Sequence, residues 1–69
     1  MKFILIDNVL SIDVKSDNTI ADCEIDKLND FILRNESKIN LVCIDEISTT
    51  RNIDKIYTLL DIYNMEILN

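Results

Sequence analysis

The side chains that could do chemistry in this chain are carboxylates, hydroxyls and two thiols, because the sequence contains no histidine. Asp7 and the pair Asp45-Glu46 stand at the ends of predicted strands, where clustered carboxylates could bind Mg²⁺. Asp7 follows the first strand of a predicted hairpin, however, so it need not lie beside Asp45, and we expect structural roles for these acids. A hydroxyl or thiol nucleophile has no imidazole to activate it. We therefore expect no enzyme activity, no metal site and no cofactor.

The absence of glycine and the small number of cysteines exclude two further kinds of site. Without glycine, the chain cannot form a Gly-rich loop that closes around a phosphate. Cys23 and Cys43 lie on segments with apolar periodicity and form no C-x-x-C pair. A small secreted scaffold would carry more cysteines than these two. We expect both to be small buried hydrophobic residues.

Three aspartates stand four residues apart on the first predicted helix: Asp22, Asp26 and Asp30. Residues at this spacing stack along one side of a helix, and like charges there destabilise it by about a few tenths of a kcal/mol per pair. One interpretation is a solvated face that keeps an acidic protein soluble. The other is a surface for a partner protein that is itself basic. Leu33 falls in the same sector, and an apolar residue there favours the second interpretation.

The second predicted helix has apolar residues on more than one side, because Leu59 and Ile62 point away from its main apolar stripe. A helix that is apolar nearly all round is usually buried on more than one side. Either the edge strands and the last segment of the chain cover these two residues, or another chain does. In the second case they form a homodimer interface or a second contact with a partner.

The apolar pattern also predicts the elements that position these residues. Two strands, 3–6 and 9–14, flank Asp7-Asn8, and both turn residues tolerate the left-handed conformation of a tight hairpin turn. A helical period follows over 19–34. The segment 39–44 predicts a strand that is apolar on both faces and therefore central in the sheet.

Polar residues at the predicted helix ends replace the missing glycines. Residues 16–19 offer N-caps for the first helix, and Ser48-Thr49-Thr50 caps a second helix over 51–63. Asn35 and Asn64 stand where a glycine would normally end each helix.

With a last strand over 65–69, the elements follow the order ββαβαβ in a single α/β domain that covers residues 1–69. Connections from strand through helix to parallel strand are right-handed. We therefore expect two helices packed together on one face of a sheet of about four strands.

Three segments carry a family resemblance: Val9–Val14 as an early strand, Thr19–Asp22 as the start of a helix, and Leu41–Asp45 as a central strand. Their order resembles the STAS domains of bacterial anti-sigma-factor antagonists. Ser48-Thr49-Thr50 looks like the Ser-containing turn that this family phosphorylates, with Arg51 where the family carries a glycine. The resemblance implies a regulatory protein-interaction domain with a phosphoacceptor at Ser48 or Thr49.

Charge and composition narrow the class of protein. Seven basic residues against thirteen acidic ones give a formal net charge of −6, which excludes the phosphate contacts of direct nucleic-acid binding. No stretch approaches the roughly 18 apolar residues of a membrane span, and the first residues lack the apolar region of a secretory signal. We expect a cytoplasmic protein. Abundant Ile, Asn and Lys with scarce Gly, Pro, Ala and Arg indicate an AT-rich bacterial, phage or plasmid genome.

These observations predict a non-enzymatic, acidic protein-binding module, without direct contact to nucleic acid or membrane. We picture an inhibitor or antagonist of phage or mobile-element type that covers a basic, nucleic-acid-binding surface of its target. The residues predicted to contact the partner are Asp22, Asp26, Asp30 and Leu33. Those predicted to form a dimer or a second contact are Leu59 and Ile62. The alternative is the STAS-like regulatory domain.

Overall fold

The first two strands form the predicted hairpin. In the computed structural model, which describes residues 1–47 and 50–68, β1 (Lys2–Ile6) pairs antiparallel with β2 (Val9–Asp13). Asp7 and Asn8 form the two-residue turn with φ of 51° and 66°, and a type I′ turn requires positive φ at both positions. Asn8 Nδ2 also donates a 2.7 Å hydrogen bond to the carbonyl of Lys38, which ties the turn to the segment before the third strand.

Helices and strands alternate in the rest of the chain. The further elements are α1 (Asp22–Asn35), a 3₁₀ turn (Glu36–Lys38), β3 (Leu41–Asp45), α2 (Ile53–Ile62) and β4 (Ile67–Leu68). The sheet has the order β1-β2-β3-β4, in which β3 pairs parallel with both β2 and β4. Two helices and a four-stranded sheet in the order ββαβαβ confirm the predicted fold class. The last strand is shorter than the predicted 65–69.

Both helices lie on the same face of the sheet. The connections β2–α1–β3 and β3–α2–β4 advance in the same direction, and right-handed crossovers then place their helices side by side. The helices contact each other, and the strands bury alternate residues beneath them. In β2, for example, Leu10 and Ile12 are buried whereas Ser11 and Asp13 are exposed.

The core fills the space between the helix layer and the sheet. Phe3 of β1 and Phe31 of α1 extend it, with ring centroids 5.0 Å apart in an edge-to-face arrangement. Most of the buried side chains belong to residues that alternate along the strands or recur at helical spacing in the sequence. The fully or nearly buried apolar residues are Leu10, Ile12, Val14, Ile20, Leu28, Ile32, Ile39, Val42, Ile56 and Leu60.

Both helices begin later than the sequence predicts. α1 has Ala21 as its N-cap residue and α2 has Asn52, and neither side chain bonds to a helix amide. The predicted caps at 16–19 and at Thr50 are therefore wrong, whereas Ser48 and Thr49 lie outside the described residues.

A tertiary contact explains the late starts. The amide of Ile20 donates to the carbonyl of Arg51 at 3.1 Å, and the amide of Arg51 donates to the carbonyl of Asn18 at 2.8 Å. Thr19 and Arg51 form a parallel bridge in this pairing. Because the pairing needs extended backbone in both segments, neither segment can join the helix that follows it.

The asparagines at the helix ends behave differently from one another. Asn64 has φ of 55°, which confirms the left-handed residue predicted after α2. Asn35 instead is the last residue of α1, with φ of −123°, so its predicted role in place of glycine is wrong. Its side chain donates a 2.8 Å hydrogen bond to the carbonyl of Phe31. Asn52, which the sequence pattern missed, adopts φ of 66° immediately before α2.

Substitution of Asn64 tests the left-handed end of α2. Asn64→Gly should leave the free energy of unfolding nearly unchanged, because glycine adopts positive φ without steric cost. Asn64→Ala should lower it by about 1 kcal/mol, because alanine lacks the short polar side chain whose local hydrogen bonds offset the strain of a Cβ in that conformation. Chemical denaturation of the three proteins measures the differences. Equal stability of the glycine and alanine variants would contradict the left-handed conformation.

Candidate protein-binding surface

The packing of α1 beside α2 brings the two predicted contact regions into one surface. Tyr63 donates a 2.7 Å hydrogen bond from its hydroxyl to Asn29 Oδ1, and Lys55 Nζ lies 2.8 Å from Asp22 Oδ1. The contact of Lys55 joins α2 to α1, and the contact of Tyr63 joins the residue after α2 to α1. Because the acidic row and the apolar pair flank this seam, they form one continuous surface. We call it the helix face, defined by Asp22, Asp26, Asp30, Leu33, Leu59 and Ile62.

An apolar groove runs between the helices within this surface. It has a volume of about 290 Å³ and is lined by Ile25, Lys55, Thr58, Leu59 and Ile62. Ile62 is 70% exposed, whereas Leu59 is half-buried and packs against the core. The fold therefore covers Leu59 in part and leaves Ile62 in the solvent. Leu33, on the neighbouring flank of α1, is also 61% exposed.

The acidic row carries less uncompensated charge than its sequence suggests. The hydrogen bond from Lys55, and then its positive charge, lowers the pKa of the Asp22 carboxyl, and the same contact raises the pKa of Lys55. Arg34 lies 3.1 Å from Asp30, one helical turn away. Within residues 1–47 and 50–68, Asp26 forms no ion pair. It is the centre of the row and its most available carboxylate.

These ion pairs leave the carboxylates of the row accessible to solvent. The side chains of Asp22, Asp30 and Arg34 are all well exposed. Exposed salt bridges contribute little to stability, because solvent screens the charges and the long side chains lose entropy when they pair. A basic partner can therefore displace Lys55 and Arg34 at small cost.

Two other acids near the start of α1 serve the fold. The Met1 amine lies 2.7 Å from Asp17 and 3.1 Å from Glu24, and the Met1 side chain is almost fully buried. The hydrogen bond to Asp17 is the main reason that the pKa of this amine is raised, and Glu24 adds to it. These two carboxylates hold β1 against the beginning of α1 and are not part of the helix face.

The predicted phosphoacceptors, Ser48 and Thr49, lie outside the described residues. Thr50 beside them is only 5% exposed, and its Oγ1 donates a 3.1 Å hydrogen bond to the carbonyl of Asp17. Thr50 therefore has a structural role. Phosphorylation of Ser48 or Thr49 stays a prediction, which mass spectrometry of the protein from its own cells tests.

The other chemistry-bearing residues do not converge on a site. Asp7 lies in the turn that precedes β2, while Asp45 ends β3 and Glu46 follows it, at the opposite end of the parallel strands. In the described parts of the chain, no three acids or cysteines come together as metal ligands. Cys23 is exposed on α1, so its predicted burial is wrong, whereas Cys43 is half-buried in β3.

Sequence reasoning missed the surface on the other side of the molecule. Helices cover one face of the sheet, so the strand residues that point the other way remain uncovered. The signal was present in the sequence, because a strand that is apolar on both faces cannot be covered on both by two helices on one side. We call this surface the open sheet face, defined by Lys2, Ile4, Ile6, Val9, Ser11, Asp13, Leu41, Cys43, Asp45 and Leu68.

The chain matches no protein-family model, no curated protein and no solved structure. Among the described residues, neither helix is long and apolar enough to cross a membrane. Its function is therefore inferred from the chemistry of its two exposed surfaces.

The contact between Tyr57 and Glu46 gives a measurable pH dependence. The phenol donates a 2.6 Å hydrogen bond to Glu46 Oε2, and this bond, with burial and the carboxylate charge, raises the pKa of Tyr57 to about 12. Because the folded pKa exceeds the ordinary value of 10.0, the contact stabilises the fold below that pH. The contribution is lost as the pH rises through about 12.

Ultraviolet titration of tyrosinate tests this contact, because the chain has two tyrosines and no tryptophan. The wild-type protein should show a late ionisation step that Tyr57→Phe removes and that Glu46→Gln shifts to lower pH. Circular dichroism at each pH confirms that the chain is still folded. A late step that persists unchanged in Glu46→Gln would contradict the hydrogen bond.

Proposed function

We propose that this protein is a non-enzymatic protein-binding module whose helix face contacts a partner that is basic and partly apolar. The supporting observation is the junction of the acidic row with the interhelical groove. Asp26 stands unpaired, within the described residues, on the same exposed surface as Leu33 and Ile62. Carboxylates set charge complementarity and the rate of association, while apolar side chains supply the contact area.

The partner's surface follows from the spacing of the row. Carboxylates four residues apart on a helix repeat at about 6 Å along its axis. A basic groove built to hold a nucleic-acid backbone offers lysine and arginine side chains in a comparable line. We infer that the module acts as an antagonist, covering such a groove and keeping nucleic acid out of it. The net charge of −6 supports this role, because it favours approach to a basic surface.

Two single substitutions on the helix face test the surface. Asp26→Lys should weaken capture of the partner by about tenfold or more, because it places a like charge against a basic surface. Ile62→Glu should weaken it similarly by placing a carboxylate at the apolar groove. Glu66→Lys is the matched control, because it makes the same charge change at an exposed position between α2 and β4.

Capture from a nuclease-treated extract of host cells, quantified by mass spectrometry, provides the measurement. The expected partner is a nucleic-acid-binding protein that is captured less as salt increases. Duplex DNA or RNA added in excess should compete with the immobilised module for it. A partner captured equally by wild type, Asp26→Lys and Ile62→Glu, or one that nucleic acid does not displace, would contradict the antagonist role.

A further inference from the structure

We propose that two copies of this chain associate through the open sheet face, sheet against sheet. This surface lies on the opposite side of the molecule from the helix face. The proposal therefore does not depend on the protein-binding function inferred for the helices. Three observations carry it: the uncovered apolar residues, the balance of charge around them, and the way in which the charged end of the face complements itself.

The first observation is the uncovered apolar surface on strands that normally have cover on both sides. β2, β3 and β4 are parallel to one another, and parallel sheets are nearly always covered on both faces. Here Ile4 and Ile6 are 56% and 58% exposed, and Leu68 of β4 is also exposed. Together with the half-buried neighbours on β2 and β3, these side chains form one contiguous apolar patch. A flat apolar patch of this kind is typical of an interaction surface.

The second observation is that this face is close to neutral in an acidic protein. Among its defining residues Lys2 offsets one of the two carboxylates, Asp13 and Asp45, and Lys15, just beyond β2 at the edge of the face, offsets the other, with its Nζ 3.0 Å from Asp45 Oδ2. The remaining five basic and eleven acidic residues, which account for the whole net charge of −6, lie elsewhere on the chain. Two copies can therefore meet here while their acidic surfaces point away from each other. A strongly basic partner gains no attraction from this face.

The third observation is that the charged end of the face complements itself. Lys2 on β1 is the cross-strand neighbour of Asp13 on β2, which in turn is the neighbour of Asp45 on β3. A two-fold axis parallel to β2 places β1 of one copy over β3 of the other. Lys2 of each copy then faces Asp45 of the other copy. Asp13 lies on the axis and faces Asp13 of the second copy, and the Lys2 side chain beside each of them offsets this like-charge contact.

The same arrangement matches apolar residues along the rest of the face. In the register of the sheet, Ile4 and Cys43 are at one level, and Ile6 and Leu41 are at the next. Under the two-fold axis Ile4 of one copy faces Cys43 of the other copy, and Ile6 of one copy faces Leu41 of the other. Aligned sheets pack in this way about 10 Å apart, with their inner side chains interdigitating.

The size of the face sets the strength of the association. Under this axis three strands of each copy overlap, and three strands at about 4.8 Å spacing and five residues at about 3.3 Å give a contact plane of about 14 by 17 Å. Such a plane provides less than the roughly 800 Å² per partner of a standard interface. We therefore expect a weak dimer that forms in the micromolar range or above, in exchange with monomer.

The two native cysteines provide a test without any mutation. Cys43 lies at the centre of the open sheet face, whereas Cys23 lies exposed on α1. We expect the rate at which iodoacetamide alkylates Cys43 to fall several-fold as the protein concentration rises, while the rate at Cys23 stays constant. Peptide mass spectrometry measures both rates in the same sample. Constant rates at both cysteines, or slowing at Cys23 alone, would overturn the proposal.

Sedimentation of matched variants provides the second test. Ile4→Glu places a charge in the apolar patch and should weaken the dimer by at least about tenfold. Ile62→Glu makes the same change on the helix face and should leave the dimer unchanged. Both positions are exposed, and circular dichroism confirms that each variant is folded. A wild-type protein that remains monomeric at high micromolar concentration, or that loses its dimer through Ile62→Glu and not through Ile4→Glu, overturns the proposal.

Discussion

The structure depends on the handedness of two connections. From β2 to β3 and from β3 to β4 the chain crosses over in the same direction, and a right-handed crossover allows its helix to lie on only one side. Both helices must therefore share that side. This constraint brings the acidic row of α1 next to Leu59 and Ile62 of α2. It also leaves the other face of the sheet without a helix. A single topological rule thus produces both of the exposed surfaces.

A domain of this size has a small free energy of unfolding. A chain of about 60 residues buries only about 60% of the surface that its unfolded form exposes. The buried core is a single layer of aliphatic side chains between two helices and a sheet. Contacts between distant segments, such as the pairing of Ile20 with Arg51, hold the helix starts in place. Any partner that binds only the folded chain adds to its stability by mass action, so occupation of either surface stabilises the whole domain.

The parts of the fold that follow from local patterns were predictable. Leu10 and Ile12 alternate with polar residues, and Leu28 and Ile32 recur at helical spacing, so strand, helix and core position all follow from the sequence. The helix starts were not predictable, because they depend on hydrogen bonds between segments about thirty residues apart. This pairing outweighs the local preference of polar residues for the N-cap position.

The candidate surface also has a part that the sequence predicts and a part that only the packing reveals. The row from Asp22 to Asp30 follows from spacing on one helix. The ion pair of Asp22 with Lys55, and the union of the row with Ile62, join residues on different helices and follow only from the packing. The open sheet face follows from combining a two-sided apolar strand with one-sided helices, and neither observation is sufficient without the other.

The strand order has a consequence for how the chain is made. Each strand pairs with the one before it, so no later strand has to insert between two that are already joined. A β-hairpin forms in about 1–10 μs, whereas a ribosome adds about 5–20 residues per second. The hairpin β1–β2 can therefore pair soon after it leaves the ribosome, and each helix–strand unit can then dock on an existing edge. The sheet grows in one direction as the chain emerges, and within the described residues the outer edge that β4 presents is two residues long.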